Sequence, residues 1–173
     1  GNTDYCVTTI EIQDNNDVCP NSGSSNIVVN GDVENALMRE GVENVEIYVN
    51  GTMEKLTELD GEYSFKSPKG SDFTVAPYSN SEPLNGVSTA DIVAIQRHLL
   101  GMEELTNGYQ IVAADVNNNE NVSAADISSL RQVLLGRHAD FSKWNNQTSW
   151  RFVDRAENLT DNLNPWPFTE ELS

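Results

Sequence analysis

Oxygen-bearing side chains recur at alternate positions between Asp115 and Asp126. Within this twelve-residue stretch, positions one, three, five, nine and twelve carry carboxylate, amide or hydroxyl oxygens, and position seven can offer its backbone carbonyl. Ca²⁺ takes roughly six to eight oxygen ligands at about 2.3–2.6 Å, and this spacing wraps oxygens around one point. The stretch therefore predicts a calcium site. The expected ligands are Asp115, Asn117, Asn119, Asn121, Ser123 and Asp126.

A metal-free alternative stays open for this loop. An Asx-rich surface turn ahead of a capped helix would show the same residue types, because the helix dipole favours an acid in the first turn even without metal. Position six, usually glycine in such loops, is Glu120. A left-handed conformation there would be strained, because only glycine adopts it without steric cost.

A weaker copy of the loop precedes Asp91. Leu84 stands at its position five, which removes one side-chain ligand that a backbone carbonyl or a water could replace. We expect this copy either to bind a second calcium ion or to be metal-free and held by packing alone. Its candidate ligands are Asn80, Glu82, Gly86, Ser88 and Asp91.

Each loop leads into a copy of the same helical pattern. Val-Ser-Thr-Ala-Asp-Ile at 87–92 returns as Val-Ser-Ala-Ala-Asp-Ile at 122–127, and both copies close on Leu-Leu-Gly, at 99–101 and 134–136, which is an offset of 35 residues throughout. Ser88 and Ser123 are N-cap candidates, each with an aspartate three positions later. Apolar residues then follow helical spacing, and a glycine ends each helix. Helices this short cannot bury their apolar stripe alone, so the two copies should pack on each other.

Two calcium loop–helix units in tandem, each ending in Leu-Leu-Gly, resemble a dockerin domain over residues 80 to about 140. The resemblance implies one calcium ion per loop and two antiparallel helices. It also implies docking onto a cohesin partner through loop positions ten and eleven and nearby helix residues. The matching residues here are Thr89, Ala90, Ala124 and Ala125, with Arg97 and His98 further along the first helix.

The stretch before the repeats alternates as strands do. Val45, Ile47 and Val49 fall on one face, and Asp60-Gly61 is a strong turn signal. This predicts a small antiparallel β-sandwich of short strands. The segments Gly31-Asp32-Val33, Gly41-Val42, Val45–Val49, Asp60–Phe65 and Lys69-Gly70, with Thr57 and Phe73, resemble the carboxypeptidase-regulatory-like, transthyretin-like sandwich. That resemblance implies a spacer or accessory domain without an active site.

The fold class expected for the whole chain is α+β. Four regions separate: an N-terminal strand and linker at 1–26, a small antiparallel Ig-like β-sandwich at 27–79, a dockerin-like pair of calcium loop–helix units at 80–140, and an aromatic tail at 141–173. The tail holds Trp144, Trp150 and Trp166. These aromatic residues could stack on sugars, but we favour packing of the tail on the domains, because a tail without regular structure needs anchoring.

The N-terminal run from Tyr5 to Ile12 alternates as a half-buried strand, and a polar linker follows it. It resembles the last strand of an Ig-like repeat. We therefore expect it to pair outside its own sandwich, by adding to the edge of another copy, in preference to folding back. Repeated head to tail, such pairing would build a filament.

Two modifications are expected in an extracellular setting. Cys6 and Cys19 are predicted to form a disulfide, with a pair of buried thiols as the alternative. Candidate glycosylation sequons lie at Asn50, Asn146 and Asn158.

Charge and motifs exclude several functions. The net charge of −17 disfavours nucleic acid and anionic lipid as partners, and no stretch reaches the roughly 20 apolar residues of a membrane span. No nucleophile elbow, phosphate loop or zinc motif is present. Acid pairs such as Glu103-Glu104 could in principle hydrolyse glycosides, but surface acids are common in so acidic a chain. No enzymatic activity is expected.

The order of the regions, together with Thr148–Asp154, resembles long secreted bacterial surface proteins in which Ig-like repeats precede such a pair. The start at Gly1 also suggests a piece of something longer. We therefore expect a non-catalytic, calcium-binding structural or adhesive module of an extracellular, cell-surface protein or fibre. Its expected partners are other copies of itself or neighbouring Ig-like domains, with cell-surface glycans as candidates. The alternatives are a docking module that anchors an enzyme to a cohesin, and a carbohydrate-binding module.

Overall fold

The computed structural model describes residues 6–12, 26–144 and 148–172. Within these ranges the chain forms strands and helices, which confirms the mixed α+β class. The strands are β1 (Cys6–Ile12), β2 (Asn26–Asn35), β3 (Glu46–Val49), β4 (Thr52–Leu56), β5 (Glu62–Pro68), β6 (Val75–Tyr78) and β7 (Phe152–Asp154). The helices are α1 (Thr89–Leu99), α2 (Gly108–Ala114) and α3 (Ala124–Leu134).

The described strands form two sheets. One has the order β5-β2-β1-β7 and the other the order β4-β3-β6. Neighbouring strands within 26–78 are antiparallel, as predicted. Buried residues alternate with exposed residues along β5 and with half-buried residues along β2, because successive side chains of a strand point to opposite faces of the sheet. The buried residues of this part of the chain include Val29, Val33, Ile47, Tyr63, Phe65 and Val75 of the sheets, and Val45 next to β3.

Strand β1 corrects one prediction. It pairs antiparallel with β2 along its whole length, from Cys6 opposite Asn35 to Ile12 opposite Val29. Residues 6–8 also pair in parallel with β7 on the other side. The expectation that this strand adds to the edge of another copy is therefore wrong. The physical reason is that the segment 13–25 is short, so closing the loop to β2 costs little entropy, and β2 offers ten residues of backbone partners.

A buried threonine fixes the chain beside β3. Thr57 Oγ1 accepts a hydrogen bond from Val45 N at 2.9 Å and donates one to Val42 O at 2.7 Å. Its side chain thereby satisfies two backbone groups that no strand pairing serves. This threonine belongs to the motif that carried the resemblance to the transthyretin-like sandwich.

Helices α1 and α3 have the predicted boundaries. Ser88 and Ser123 cap them, each in a reciprocal capping box with the aspartate three residues later. Gly101 and Gly136, with φ of 64° and 65°, follow their C-terminal ends. The two helices contact each other and share a hydrophobic core. Its buried members are Ile92, Ile95, Ala114, Val116, Ile127, Leu130, Val133 and Phe141.

Helix α2 is an element that the sequence did not predict. Asn107 caps it, because its Oδ1 accepts a hydrogen bond from Gln110 N at 2.9 Å. Tyr109, Ile111 and Val112 are buried. Gly108 N donates to Leu159 O at 2.8 Å, so part of the tail contacts this helix.

The chain divides into two compact units, each discontinuous in sequence. The helical unit comprises mainly Ser79–Arg151 and Ala156–Phe168, and the strand unit comprises Cys6–Tyr78, Phe152–Arg155 and Thr169–Ser173. None of the helices in the described ranges has the length and apolarity that crossing a bilayer demands.

The predicted modifications stay predictions. Cys19 and Asn146 lie outside the described residues, and so does the side chain of Cys6. Asn50 and Asn158 are both exposed. Two of the tail aromatics pack within the helical unit: Trp144 lies against its core, and Trp150 Nε1 donates to Ser81 O at 3.0 Å.

Candidate metal centre

The second loop is held between two helices. Asp115 is the C-cap of α2, and Asp126 lies in the first turn of α3. Both carboxylates are fully buried, with 0% of each residue exposed. Aspartate is rarely buried to this extent unless it is paired or binds a metal.

The backbone of the loop curls around Asp115. Its Oδ1 accepts a hydrogen bond from Asn119 N at 3.0 Å, and its Oδ2 accepts one from Glu120 N at 2.7 Å. Asn118 and Glu120 adopt left-handed conformations, with φ of 54° and 61°. The left-handed conformation that a sharp turn needs is therefore present at Glu120, without the glycine usual at that position.

Asp126 closes the loop from the other end. Its Oδ2 accepts from Ser123 N and Ser123 Oγ, at 2.8 and 3.0 Å. Its Oδ1 accepts from Asn117 N and Asn117 Nδ2, at 3.1 and 2.7 Å. The carboxylate thus caps α3 and reaches across the loop. Asn119 and Asn121 lie on the exposed outer turn, where Asn119 Oδ1 accepts from Asn121 N at 3.1 Å.

The electrostatics of Asp115 reflect two acids in one small space. Burial raises the pKa of Asp115 above its ordinary value, and the nearby Asp126 acts in the same direction. The amides of Asn119 and Glu120 and the guanidinium of Arg151 oppose this. Among the described residues, neither carboxylate forms an ion pair. Buried charge without a counter-ion is costly.

The donor set fits calcium. Two carboxylates, amide groups and a hydroxyl are hard oxygen ligands, which Ca²⁺ prefers over the nitrogen and sulfur ligands typical of zinc. Across the described ranges no three His, Cys, Asp or Glu side chains gather as a metal cluster. Asp115, Asn117, Asn119, Ser123 and Asp126 would supply side-chain oxygens to the ion, and Asn121 its backbone carbonyl.

The first loop is arranged differently. Ser88 and Asp91 form the same capping box, in which Asp91 Oδ2 accepts from Ser88 N at 2.7 Å. Asn80 is bonded to Asp140 and Ser149 instead of to its own loop. Glu82 is exposed. Glu82 and Gly86 have positive φ, of 46° and 72°. Among the five predicted ligands, all within the described part of the chain, hydrogen bonds therefore join only Ser88 and Asp91.

Arg151 is a site residue that sequence reasoning missed. Its Nη1 donates to Asn118 Oδ1 at 2.8 Å, and its guanidinium lies over the Phe168 ring at 5.0 Å. No local pattern could reveal this contact, because 33 positions separate the hydrogen-bonded residues.

The residues expected to face a cohesin lie mostly on the surface. Thr89, Ala90, Ala124, Ala125 and Arg97 are exposed. Arg97 pairs with Glu103, one of the paired acids considered for hydrolysis. His98 is half-buried, and its Nδ1 accepts from Leu105 N at 3.2 Å, which is a structural contact.

Comparison with known families matches the same region. Residues 85–135 match the model of the dockerin type I domain, a stretch that contains α1, α2, the second loop and α3. Comparisons with curated proteins and with solved structures gave no match. Dockerin domains are non-catalytic docking modules that bind calcium and protein partners. The segment 85–135 is therefore a dockerin-like module.

Proposed function

We propose that the chain is a non-catalytic structural module of an extracellular bacterial surface protein, and that calcium bound in the second loop stabilises its helical unit. One observation carries the proposal: two fully buried carboxylates, Asp115 and Asp126, share one loop and have no ion-pair partner among the described residues. A divalent cation would compensate both charges. The ion would supply only charge compensation and oxygen coordination, while the chain's own residues shape the loop.

Thermal unfolding with and without calcium tests this proposal. Binding to the native state alone adds about 2.7 kcal/mol when free calcium is at about 100 times its Kd. We expect excess chelator to lower the Tm of the helical unit, and Asp115→Ala to remove most of that response. Asp72→Ala, an exposed acid in the strand unit, is the matched control and should keep the full response. Superimposable wild-type curves with calcium and with chelator would refute the proposal.

For the strand unit we propose the role of a spacer with an Ig-like β-sandwich fold. Alternating burial along β2 and β5 supports it, and so do the two sheet orders. In this role the unit needs no active site.

The Glu103 side chain, in the helical unit, is exposed and paired with Arg97, as expected of an ordinary surface acid.

A second candidate function is docking onto a cohesin to anchor an enzyme. Exposed apolar residues near the C-terminal ends of α1 and α3 favour it, namely Leu100, Met102 and Leu135, which are 72%, 70% and 70% exposed. Immobilised cohesins should then capture the chain in calcium and release it in chelator. Leu135→Glu should weaken capture, whereas Leu59→Glu, at an 81% exposed position in the strand unit, should not. Capture that is insensitive to both calcium and Leu135→Glu would argue against this function.

A further inference from the structure

The first residue of the first loop, Asn80, already forms side-chain hydrogen bonds with other residues of the protein. Asn80 Oδ1 accepts hydrogen bonds from Ser149 N and Ser149 Oγ, at 3.1 and 2.9 Å. Its Nδ2 donates to Asp140 Oδ2 at 3.0 Å. An amide oxygen has two lone pairs, and both are used here. In the second loop the carboxylate of Asp115, at the equivalent position, accepts hydrogen bonds from two amides of its own loop and, among the described residues, from no other donor.

The backbone of the first loop takes another course. The second loop turns through left-handed residues at positions four and six, Asn118 and Glu120. Position four of the first loop is Pro83, whose ring fixes φ near −65° and so excludes a left-handed conformation. Positive φ occurs instead at positions three and seven, Glu82 and Gly86. The first loop therefore cannot copy the turn of the second.

The last ligand position differs as well. Asp126 bonds across its loop to Asn117. The side chain of Asp91, within the described part of the chain, accepts hydrogen bonds from Ser88 alone. Asp91 therefore caps its helix, but among the described residues it forms no hydrogen bond across its loop like that between Asp126 and Asn117.

A short segment of the tail forms hydrogen bonds with the first loop. We name Thr148–Arg151 the strap. In the first loop, Ser149 N donates a hydrogen bond to Asn80 Oδ1, and Trp150 Nε1 donates one to Ser81 O at 3.0 Å. In the second loop, Arg151 Nη1 donates a hydrogen bond to Asn118 Oδ1. The strap thus contacts both loops of the helical unit, and it reaches the first loop at its opening residue.

We propose that the strap replaces calcium in the first loop, closing that loop by protein hydrogen bonds, so that the module binds a single calcium ion, in the second loop. The count of one ion rests on the proposed function of the second loop. The closure by the strap does not, because it depends on contacts between Asn80, Ser81 and the strap alone.

Counting bound ions on the full chain tests the first half of the proposal. Calcium titration by calorimetry, with native mass spectrometry as a second readout, should give one ion for the wild type and none for Asp115→Ala. Two ions in the wild type, with one left in Asp115→Ala, would overturn the proposal and leave calcium binding by the second loop intact. No ion in the wild type would instead overturn the proposed function, and with it the count.

Hydrogen exchange tests the strap itself. In saturating calcium, Asn80→Ala should raise exchange at the Ser149 amide by about tenfold or more, since that amide loses its acceptor. The number of bound ions should stay unchanged. Asn85→Ala, an exposed residue of the same loop, is the matched control and should change neither quantity. Unchanged exchange in Asn80→Ala, or the loss of a bound ion, would overturn the proposal.

A milder variant covers the case in which Asn80→Ala does not fold. Ser149→Ala removes the Oγ–Asn80 bond and keeps the backbone bond. It should raise exchange in the strap to a smaller extent, whereas Ser128→Ala, on the exposed face of α3, should not. Exchange equal to that of the wild type in Ser149→Ala would contradict closure by the strap.

Discussion

Asp115 combines complete burial with backbone hydrogen bonds from its own loop and a second carboxylate nearby. In the absence of an ion, these features have opposite effects on the charged form of Asp115. The hydrogen bonds favour the charged form of Asp115, whereas burial and Asp126 disfavour it, and burial is the largest influence. A proton and a calcium ion therefore compete for the same carboxylate.

Calcium affinity should fall as the pH is lowered. Burial raises the pKa of Asp115 above 3.8 in the ion-free protein, so protonation begins at a higher pH than for an ordinary aspartate. Because calcium needs the carboxylate form, the Kd should rise by up to about tenfold per pH unit once the pH lies below that raised pKa. Calorimetric titrations at about pH 7, 6, 5 and 4, at constant ionic strength, measure the effect. A constant Kd down to about pH 4 would contradict it.

Relief of the strained turn should stabilise the loop. Glu120 has φ of 61°, a conformation that costs a residue with a Cβ roughly 1–2 kcal/mol. Glu120→Gly should raise the free energy of unfolding by about 1 kcal/mol with or without calcium, after the extra entropy of glycine in the unfolded chain is counted. Glu120→Ala is the control, because it removes the same charge but keeps the Cβ. Equal stability of the two variants would show that the torsion is not the cause.

Single-residue features were predictable where their causes are local. The capping boxes at Ser88 and Ser123 depend on neighbours within a few positions. The left-handed conformation of Glu120 was not predicted, because a residue with a Cβ was expected to be strained there. The hydrogen bond between Asn80 and Ser149 joins residues 69 positions apart, so no local spacing or motif predicts it. Pro83, by contrast, is a local reason why the backbone of the first loop takes another course than that of the second.

At the level of elements, β1 is an interior strand of its sheet, between β2 and β7. Removing it would expose the edge of β2 and leave β7 without a partner strand. Deleting residues 1–12 should therefore destabilise the strand unit and promote aggregation through the exposed edge. Denaturant unfolding and sedimentation of the truncated chain check this. A truncated chain that stays monomeric and as stable as the full chain would contradict the pairing.

Strand β2 also depends on a glycine that touches a ring. A Cβ at Gly31 would lie 2.3 Å from Tyr63 Cζ and Oη, and Tyr63 is only 3% exposed. Gly31→Ala should cost about 1–3 kcal/mol in the free energy of unfolding. Chemical denaturation measures this cost.

The control is Tyr63→Phe, which removes a buried hydroxyl that has no hydrogen-bond partner among the described residues. This change alone should be close to neutral. It should also reduce the cost of Gly31→Ala, which a double-mutant cycle would detect as coupling. Strictly additive effects would show that the hydroxyl contact does not limit the space at Gly31.

The elements that sequence reasoning missed are the short ones. Helix α2 has seven residues and β7 has three, too few to display a period. Their formation depends on partners far along the chain, since α2 contacts Leu159 and β7 pairs with β1. The long elements α1, α3, β2 and β5 carried enough residues for their patterns to be read.

For the whole molecule, the excess of acids sets the electrostatic background. A net charge of −17 repels itself in the compact state. Raising NaCl from about 0.05 to about 0.5 M in the presence of chelator should therefore raise the Tm, because salt screens this repulsion. KCl should have the same effect, since screening does not depend on the cation chosen. A Tm that stays constant or falls would contradict this prediction.

The two units are divided between Tyr78 and Ser79, and the regions 27–79 and 80–140 expected from sequence stay a prediction. The return of Phe152–Arg155 and Thr169–Ser173 to the strand unit could not be foreseen. These two segments join the strand unit through short backbone pairings, β7 with β1 and Leu172 with Val75. Such short pairings have no sequence pattern of their own.

The parallel pairing of β1 with β7 has a consequence for the order of synthesis. Residue 6 is made before its partner Phe152, which emerges only after the whole segment 79–151 of the helical unit has been translated. The helical segment can therefore begin to fold on the nascent chain before the four-stranded sheet is complete. Until β7 arrives, the backbone of residues 6–8 lacks the partner strand that it has in the finished fold. Synthesis thus passes through an interval in which this part of β1 is open to other chains.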